Sequence, residues 1–165
     1  MNAHPPFDSR AFRHALGSFP TGVAVVTTTS SAAQHMGITV NSFTSVSLDP
    51  PLVLWCMDKK SDRFSTFTTA PGYVINILGT EHQDVSARLA KQGEHSLEGV
   101  AQEPTELGPP ALVDALAIFE CTSQQVHDAG DHVILVGRVV RFHRHDAGAP
   151  LVFFKGKYGA LAEAE

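Results

Sequence analysis

The chain has 165 residues, of which 43% are hydrophobic and 18% charged, so it is long enough for one domain with a core that needs neither disulfides nor metal. Twelve Lys and Arg against seventeen Asp and Glu give a net charge of −5, which argues against a nucleic-acid partner. The N-terminal stretch lacks the pattern of a secretory signal, and no apolar run approaches the ~18 residues of a membrane span. We therefore expect a cytoplasmic protein with no membrane partner, one domain over residues 1–165, and free buried thiols at Cys56 and Cys121.

The first half of the chain predicts a short helix followed by strands. "DSRAFRHALG" is typical of a helix that Asp8 or Ser9 caps and that ends at Gly17. "GVAVVTTTS" and "AQHMGITVNS" predict two strands, and the apolar run of residues 52–57 predicts a strand buried on both faces. "KKSDRFSTFTTAPG" predicts two helical turns capped by Ser61.

The second half predicts one more helix among further strands. "YVINILG" is a strand, and "TEHQDVSARLAKQG" is a helix with Thr80 and Gln83 as a capping box. Residues 94–114 read as a polar surface loop. "ALAIFECTSQQVH", "HVILVGRVVRFHRH" and "PLVFFKG" predict three closing strands. Regularly spaced strands with turn signals favour a mainly β antiparallel barrel with a few short flanking helices.

The stretch "GITVNSFTSVSLDPPLVLW" carries a dense row of hydroxyl and amide side chains between two strands. Short polar side chains allow a ligand to approach the backbone closely and suit an anion or a planar polar ring. Composition alone favours a surface loop of no special purpose. Ser61 shifts that balance, because a capping hydroxyl after Lys59 and Lys60 is a plausible phosphate site on the segment that follows the next strand.

Two later motifs add candidate contacts. His132 opens a strand after the Gly130-Asp131 turn signal, although an isolated His is more often simply exposed. Tyr158 lies between glycines in "FFKGKYG", where its ring would cover a planar ligand; the alternative is a basic, loosely held C-terminal turn.

Other chemistries find little support. His143 and His145 share one face of a strand, but no third ligand accompanies them, so we expect no metal site. The chain has no nucleophile elbow and no GxGxxG dinucleotide fingerprint.

Five segments in order, "FPTGVAVVTT", "GITVNSFTSVSLDPPLVLWC", "YVINILG", "GDHVILVGRV" and "PLVFFKGKYG", resemble the flavin reductase-like family across nearly the whole chain. The family comprises the reductase components of two-component flavin-dependent monooxygenases. The resemblance implies an antiparallel FMN-binding split barrel, usually a homodimer. It also implies FMN or FAD as flavin, NADH or NADPH as hydride donor, and a separate oxygenase that receives reduced flavin.

The resemblance also implies roles for individual residues. Hydride passes from nicotinamide C4 to flavin N5, which needs close stacking and no strong acid or nucleophile from the protein. On the nicotinamide side, the residues in the catalytic role are His132 and Tyr158. The residues expected to contact the flavin are Pro20, Thr21, Thr39, Asn41, Ser42, Cys56, Lys59, Lys60, Ser61 and Lys157.

Two departures from the family pattern affect specificity. "HSLEGV" lacks a Phe that many relatives carry in a loop near the flavin, which leaves the choice between FMN and FAD open. Lys155 and Lys157 replace frequent arginines and lose the planar fork that grips phosphate. The choice between NADH and NADPH is also open, with Arg63, Arg88, Arg138 and Arg141 as candidates for a 2′-phosphate.

Two alternatives compete with a flavin reductase. One is a flavoprotein that keeps its flavin and reduces another acceptor, such as ferric iron or a small organic molecule. The other is a barrel that binds flavin without catalysis.

Overall fold

The computed structural model describes residues 6–162. Its helices are α1 (Ser9–Leu16), α2 (Phe64–Thr69) and α3 (Gln83–Leu89), and a 3₁₀ turn (Thr80–His82) precedes α3. The strands are β1 (Thr21–Gly22), β2 (Ala24–Thr29), β3 (His35–Val40), β4 (Thr44–Leu48), β5 (Pro51–Asp58), β6 (Gly72–Ile77), β7 (Gln102–Glu103), β8 (Ala111–Leu112), β9 (Ala117–Ala129), β10 (His132–Arg144), β11 (Val152–Phe154) and β12 (Lys157–Gly159). The prediction of a mainly β, antiparallel fold with a few short helices is confirmed.

Seven strands form the main sheet in the order β3-β2-β6-β9-β10-β5-β4, and every pairing is antiparallel. Its two edge strands, β3 and β4, are joined by Asn41–Phe43 alone. In a flat sheet the edges would lie about 29 Å apart at ~4.8 Å per strand. The four Cα steps from Val40 to Thr44 span at most about 15 Å. The sheet is therefore strongly curled, and the short connection closes most of the gap between its edges.

Both faces of the sheet carry a core, because β2 and β6 are buried on both sides. One core gathers Trp55, Phe67 and Tyr73, with the Trp55 ring edge-on to both neighbours. The other packs α3 and the segment after it, through Leu89 and Leu112, against Val25 and Val74. These β-branched runs form strands because their side chains pack on both surfaces of the pleat.

Two strand predictions needed correction. β5 alternates, with Val53, Trp55 and Met57 buried and the residues between them half-buried, so the prediction of a strand buried on both faces is wrong. Thr44–Leu48 forms edge strand β4, where the hydroxyl-rich stretch predicted no strand. Its side chains are mostly exposed, and the alternation of Val46 and Leu48 with serines is too short to stand out from the hydroxyl-rich stretch.

The helix ends follow the predictions only for α1, where the Asp8 carboxylate accepts from the Arg10 and Ala11 amides and Gly17 ends the helix. Ser61 is not the cap of α2: the helix begins at Phe64, and the Ser61 hydroxyl accepts from the Arg63 amide in the preceding turn. The Thr80 capping box is also wrong. Gly79 occupies the N-cap, and its amide donates to His82 Nδ1.

The segment 94–114 is more than a surface loop. Leu97 and Leu112 are buried in the second core, and β7 pairs with β8. Residues 95–97 also run along the edge of β3, where Gly37 donates to the His95 carbonyl at 2.9 Å. The polar composition of the segment concealed these few inward-facing side chains.

Cys56 and Cys121 are free thiols, as predicted, with Cys121 buried and Cys56 half-buried. Burial raises the pKa of the Cys121 thiol to about 12. No helix within residues 6–162 combines the length and the apolar character that a bilayer crossing requires. The same residues contain no cluster of three or more side chains suited to a metal ion.

Candidate active site

Two cavities meet at the start of β1. The central cavity, of about 590 Å³, is lined by residues 19–24 and 41–44 with Ile77 and Phe119. The α1 cavity, of about 720 Å³, lies between α1 and the β11–β12 turn. Phe19, Thr21 and Asn41 line both. The central cavity thus brings together four predicted site residues, Pro20, Thr21, Asn41 and Ser42.

The central cavity suits a flat ring with polar edges. Phe43 and Phe119 stack at 5.7 Å with their planes 22° apart, which gives the cavity an aromatic wall. The Thr21 hydroxyl oxygen is buried and has no hydrogen-bond partner within the described residues. A buried hydroxyl without a partner is costly, so this atom is suited to a polar atom of a ligand.

The β3–α3 cavity, of about 350 Å³, brings together Thr39, Lys60 and Ser61 near the end of α3, and the carboxylates of Asp58 and Asp62 line it as well. Thr39 and Asn41 are two residues apart on an extended chain, which is about 7 Å. Asn41 lines the central cavity. One elongated ligand can therefore contact both cavities, with its ring in the first and a charged tail beside Lys60.

A buried arginine forms part of the wall of the β3–α3 cavity. Arg63 is 2% exposed, and its guanidinium donates to the carbonyls of Gly37, Leu89 (2.7 Å) and Lys91. Burial lowers its pKa, while the charges of Asp62 and Glu94 oppose that shift. Arg63 thus ties β3 to the end of α3. Its Nε has no hydrogen-bond partner within the described residues and lies 3.4 Å from Asp62 Oδ1.

Ser42 and Cys56 form a pair that continues the antiparallel register of β4 and β5. The Ser42 hydroxyl accepts from the Cys56 amide at 2.9 Å and donates to the Cys56 carbonyl at 3.3 Å. Burial raises the pKa of the Cys56 thiol, with the Ser42 hydrogen bond acting in the opposite direction. A thiol with a raised pKa is neutral at pH 7, so Cys56 contributes polarity and shape rather than a nucleophile.

The two lysines after β5 differ. Lys59 forms an ion pair with Asp128, and its amide donates to the Asp131 carbonyl at 3.0 Å. Lys60 has no such partner within the described residues and lines the β3–α3 cavity. The ion pair holds the end of β5 against the tip of the β9–β10 hairpin.

His132 opens β10 at that hairpin tip, directly opposite Asp58. Its Nδ1 lies 2.7 Å from Asp131 Oδ1, and this hydrogen bond, with the charge of His132, lowers the pKa of the Asp131 carboxyl. His132 is therefore oriented by its neighbour and lies beside the segment that carries Lys59 and Lys60.

Tyr158 lies elsewhere and is not joined to His132. Its hydroxyl is 2.7 Å from the Ser86 hydroxyl, and its ring meets Phe153 at 5.5 Å. The Ser86 carbonyl in turn accepts from the Thr39 hydroxyl at 2.7 Å. Fully buried Ser86 thus links β3, α3 and β12.

The remaining basic candidates are scattered. Lys157 is exposed on β12 opposite Phe154. Arg88 donates to the Ser96 and Glu98 carbonyls, and Arg141 pairs with Glu106 and Glu120. Arg138 is exposed on β10 and pairs with no acidic side chain of residues 6–162.

The sequence reasoning missed Ser86, Phe119 and the role of Arg63. One weak signal existed: Ser86 is three residues before Leu89 and shares its inward face, where a polar side chain needs a partner. Arg63 gave no signal, because its partners lie 26 to 28 residues away and are backbone atoms.

Comparison with known proteins agrees with this geometry. The family described as Flavin reductase like domain matches residues 16–162. FMN reductase (NADH) SmoA of Agrobacterium fabrum is 45% identical over 155 residues, covering 94% of this chain and 87% of that protein. The flavin-dependent monooxygenase reductase subunit HsaB of Mycobacterium tuberculosis is 37% identical, covering 93% and 83%. Two relatives from Rhizobium meliloti are longer, and the chain spans 44% and 59% of them.

Solved structures give the same result. The NADH:FAD oxidoreductase SgcE6 of Streptomyces globisporus superimposes with a TM-score of 0.90 at 32% identity. The match covers 100% of this chain and 99% of that one. The family match and the identities over most of the chain agree with the order of the five motifs. The chain therefore belongs to the flavin reductase-like family.

Proposed function

We propose that this protein is an NAD(P)H-dependent flavin reductase that transfers hydride from a nicotinamide to FMN or FAD and supplies reduced flavin to a partner monooxygenase. The observation that carries the proposal is that Thr39 lines a lysine-bearing cavity and Asn41, two residues further along the chain, lines an aromatic-walled cavity. A flavin mononucleotide has the matching order of groups, with phosphate at one end and a flat ring at the other.

The residues of the two cavities fit a flavin. Lys60, Ser61 and Thr39 would hold the phosphate end, and Lys59 would fix the loop through Asp128. Pro20, Thr21, Asn41 and Ser42 would border the ring, with Cys56 behind Ser42. When bound, the flavin supplies the hydride-accepting chemistry. The chain's own contribution is orientation, hydrogen bonding to the ring edge and exclusion of water.

The nicotinamide side is assigned to His132 and Tyr158, with Lys157 nearby on β12. Asp131 orients the His132 ring through the 2.7 Å contact. The Tyr158 hydroxyl is committed to Ser86, so its ring rather than its hydroxyl is the group available to a ligand. If this assignment holds, His132→Ala and Tyr158→Ala raise the KM for NADH more than the KM for flavin; equal effects on both would contradict it.

The curled sheet supports a split barrel as the full description of the fold. Its edges are bridged by the short connection Asn41–Phe43 rather than by a strand pairing. Cores on both faces of one sheet also support a single domain over residues 1–165.

Exposed apolar side chains favour a homodimer. Leu48 is 96% exposed on edge strand β4, and Val140 and Phe142 are exposed on the part of β10 that extends beyond its pairing with β5. Burying such a surface is favourable. Light scattering of the purified protein should give twice the chain mass. The free thiols favour a reducing compartment, the cytoplasm, which fractionation of cells would test.

The deciding experiment is anaerobic oxidation of NADH and NADPH with FMN, FAD or no flavin added. Turnover that requires and saturates with added flavin is the expected result, and the comparison gives the flavin and nicotinamide preferences. Turnover by a yellow protein that keeps its flavin on dilution, with a second acceptor, would favour a flavoprotein that reduces another substrate. Flavin binding without oxidation of either nicotinamide would overturn the reductase.

A further inference from the structure

The β3–α3 cavity has an unusual charge balance for a place that receives a phosphate. The charged side chains that line it, within the described part of the chain, are Lys60 and Arg63 on one hand and Asp58 and Asp62 on the other. Two positive and two negative charges sum to zero. A phosphate dianion is ordinarily held by a surplus of cationic and amide donors. The charge balance therefore bears on which form of phosphate the cavity accepts.

Asp62 and Arg63 offset each other within the wall of the cavity. Asp62 Oδ1 lies 3.4 Å from Arg63 Nε, and Asp62 Oδ2 accepts from the Gly93 amide at 2.8 Å. The Nη1 and Nη2 atoms of Arg63 donate to backbone carbonyls. Because Arg63 is almost completely buried, its charge acts mainly on Asp62 and little on a ligand in the cavity.

Asp58 and Lys60 determine the charge that remains. Lys60 forms no ion pair with an acidic side chain of residues 6–162. The pKa of the Asp131 carboxyl is lowered by its hydrogen bond to His132, by the charge of His132 and, less strongly, by the charge of Lys60. Asp58 Oδ1 accepts from the Lys60 amide at 2.8 Å, which fixes the carboxylate at the end of β5. One cation and one fixed carboxylate are therefore left to act on a ligand.

The phosphates of the two flavin nucleotides differ in charge. The terminal phosphate of FMN is a monoester whose second ionisation lies near pH 6, so it carries nearly two negative charges at about pH 7.5. In FAD the same phosphate is part of a diester and carries one. Because Asp58 and Lys60 line the same small cavity, a second charge on the phosphate meets repulsion from one and attraction from the other. The second charge thus gains little and still loses hydration.

We propose that the β3–α3 cavity selects a flavin whose phosphate is a singly charged diester, as in FAD, over the doubly charged monoester of FMN, and that Asp58 sets this preference. The inference rests on the proposed function for the presence of a flavin phosphate in this cavity. Asp58 is the determinant, and not Asp62, because Asp62 is committed to Arg63 and Gly93.

The test compares FMN with its phosphate methyl ester, a diester with one charge and no adenine, by quenching of flavin fluorescence without nicotinamide. The wild type should bind the methyl ester about 3- to 10-fold more tightly than FMN. Asp58→Asn should abolish the difference by tightening FMN, since the Asn carbonyl still accepts from the Lys60 amide. Asp84→Asn is the matched control, because it removes the same charge from an exposed residue that does not line the cavity, and it should leave the ratio unchanged.

A salt series on the wild type tests the same preference without any substitution. Raising the ionic strength from about 0.01 M to 1 M shortens the Debye length from about 30 Å to 3 Å, so the ratio of the two affinities should fall toward one. Equal affinities at low salt, or a preference that persists in Asp58→Asn, would overturn the proposal. Tighter binding of FAD without tighter binding of the methyl ester would assign the choice to the adenine and overturn it as well.

Turnover separates this proposal from the proposed function. A protein that prefers the methyl ester to FMN but oxidises neither NADH nor NADPH supports selection by charge and refutes the reductase. A protein that reduces added flavin but binds FMN and the methyl ester equally refutes selection by charge and leaves the reductase standing.

Discussion

The β3–α3 cavity and the α1 cavity are built in opposite ways. Behind the first, Arg63 and Ser86 are buried and hydrogen-bonded to several elements at once. Beside the second, α1 has no buried residue, and Leu16 and Phe19 are 59% and 76% exposed. A rigid wall suits one fixed group such as a phosphate, whereas a loosely packed helix is able to adjust to a larger ligand.

Of the changes considered, the loss of Arg63 should lower the free energy of unfolding most. Arg63→Met leaves the carbonyls of Gly37, Leu89 and Lys91 without their donor, and we expect the free energy of unfolding to fall by about 2–4 kcal/mol. Urea denaturation measures this. Arg88→Met is the control, since it removes donors from two exposed carbonyls and should cost less than about 1 kcal/mol. Equal losses would mean that burial of Arg63 is not what matters.

Alkaline pH should have the second largest effect on the free energy of unfolding, through the buried thiol of Cys121. The unfolded Cys121 thiol ionises near its usual value of 9.0, whereas burial raises the folded value to about 12. The folded state therefore binds more protons in this range, and stability present below pH 9 is lost as pH rises. At pH 10 this thiol alone removes on the order of 1 kcal/mol. Denaturation at pH 8 and pH 10 should show the loss, and Cys121→Ala should have a smaller difference between the two.

The Ser86–Tyr158 contact tests how firmly β12 is held to the rigid side. Ser86→Ala and Tyr158→Phe remove the same hydrogen bond, so each should cost about 1 kcal/mol and the double variant little more. Thr39→Val removes a different bond to Ser86, the one to its carbonyl, and should add to Ser86→Ala independently. Full additivity of Ser86→Ala with Tyr158→Phe would show that the two hydroxyls do not interact.

Substitution of Lys59 or Lys60 should have the smallest effect, and it should be confined to the binding of FMN. Lys60→Ala should raise the KM for FMN about 3- to 5-fold and leave that for riboflavin, which has no phosphate, unchanged. Lys59→Ala should have a weaker effect, because Lys59 is engaged by Asp128. If Lys59→Ala lowers the affinity for FMN and Lys60→Ala does not, the phosphate binds at Lys59, beside the β9–β10 hairpin, and not in the β3–α3 cavity.

The sequence predicted the strands well because β-branched runs such as that of β2 pack on both faces of the sheet. It predicted the helix caps and the hydrogen-bond partners of polar side chains less well, because several partners suit the same side chain. Ser61 and Thr80 both suit a helix cap by residue type, yet Arg63 and Gly79 occupy those positions. The contacts of Ser86 join residues 47 and 72 positions away, so no local pattern reveals them. The motif resemblance predicted that Thr21, Asn41 and Ser42 share one site. It did not predict that Lys59 pairs with Asp128 while Lys60 lines the β3–α3 cavity.

The connection Asn41–Phe43 has a consequence for how this fold can be altered. It fastens the two edges of the sheet to each other and at the same time lines the central cavity. Each residue inserted there would let the edges move apart by up to about 3.5 Å. The width of the ligand cleft thus depends on the length of this connection as well as on the side chains, such as Phe43, that line it. Loop length is therefore an independent means of re-engineering which rings the protein admits.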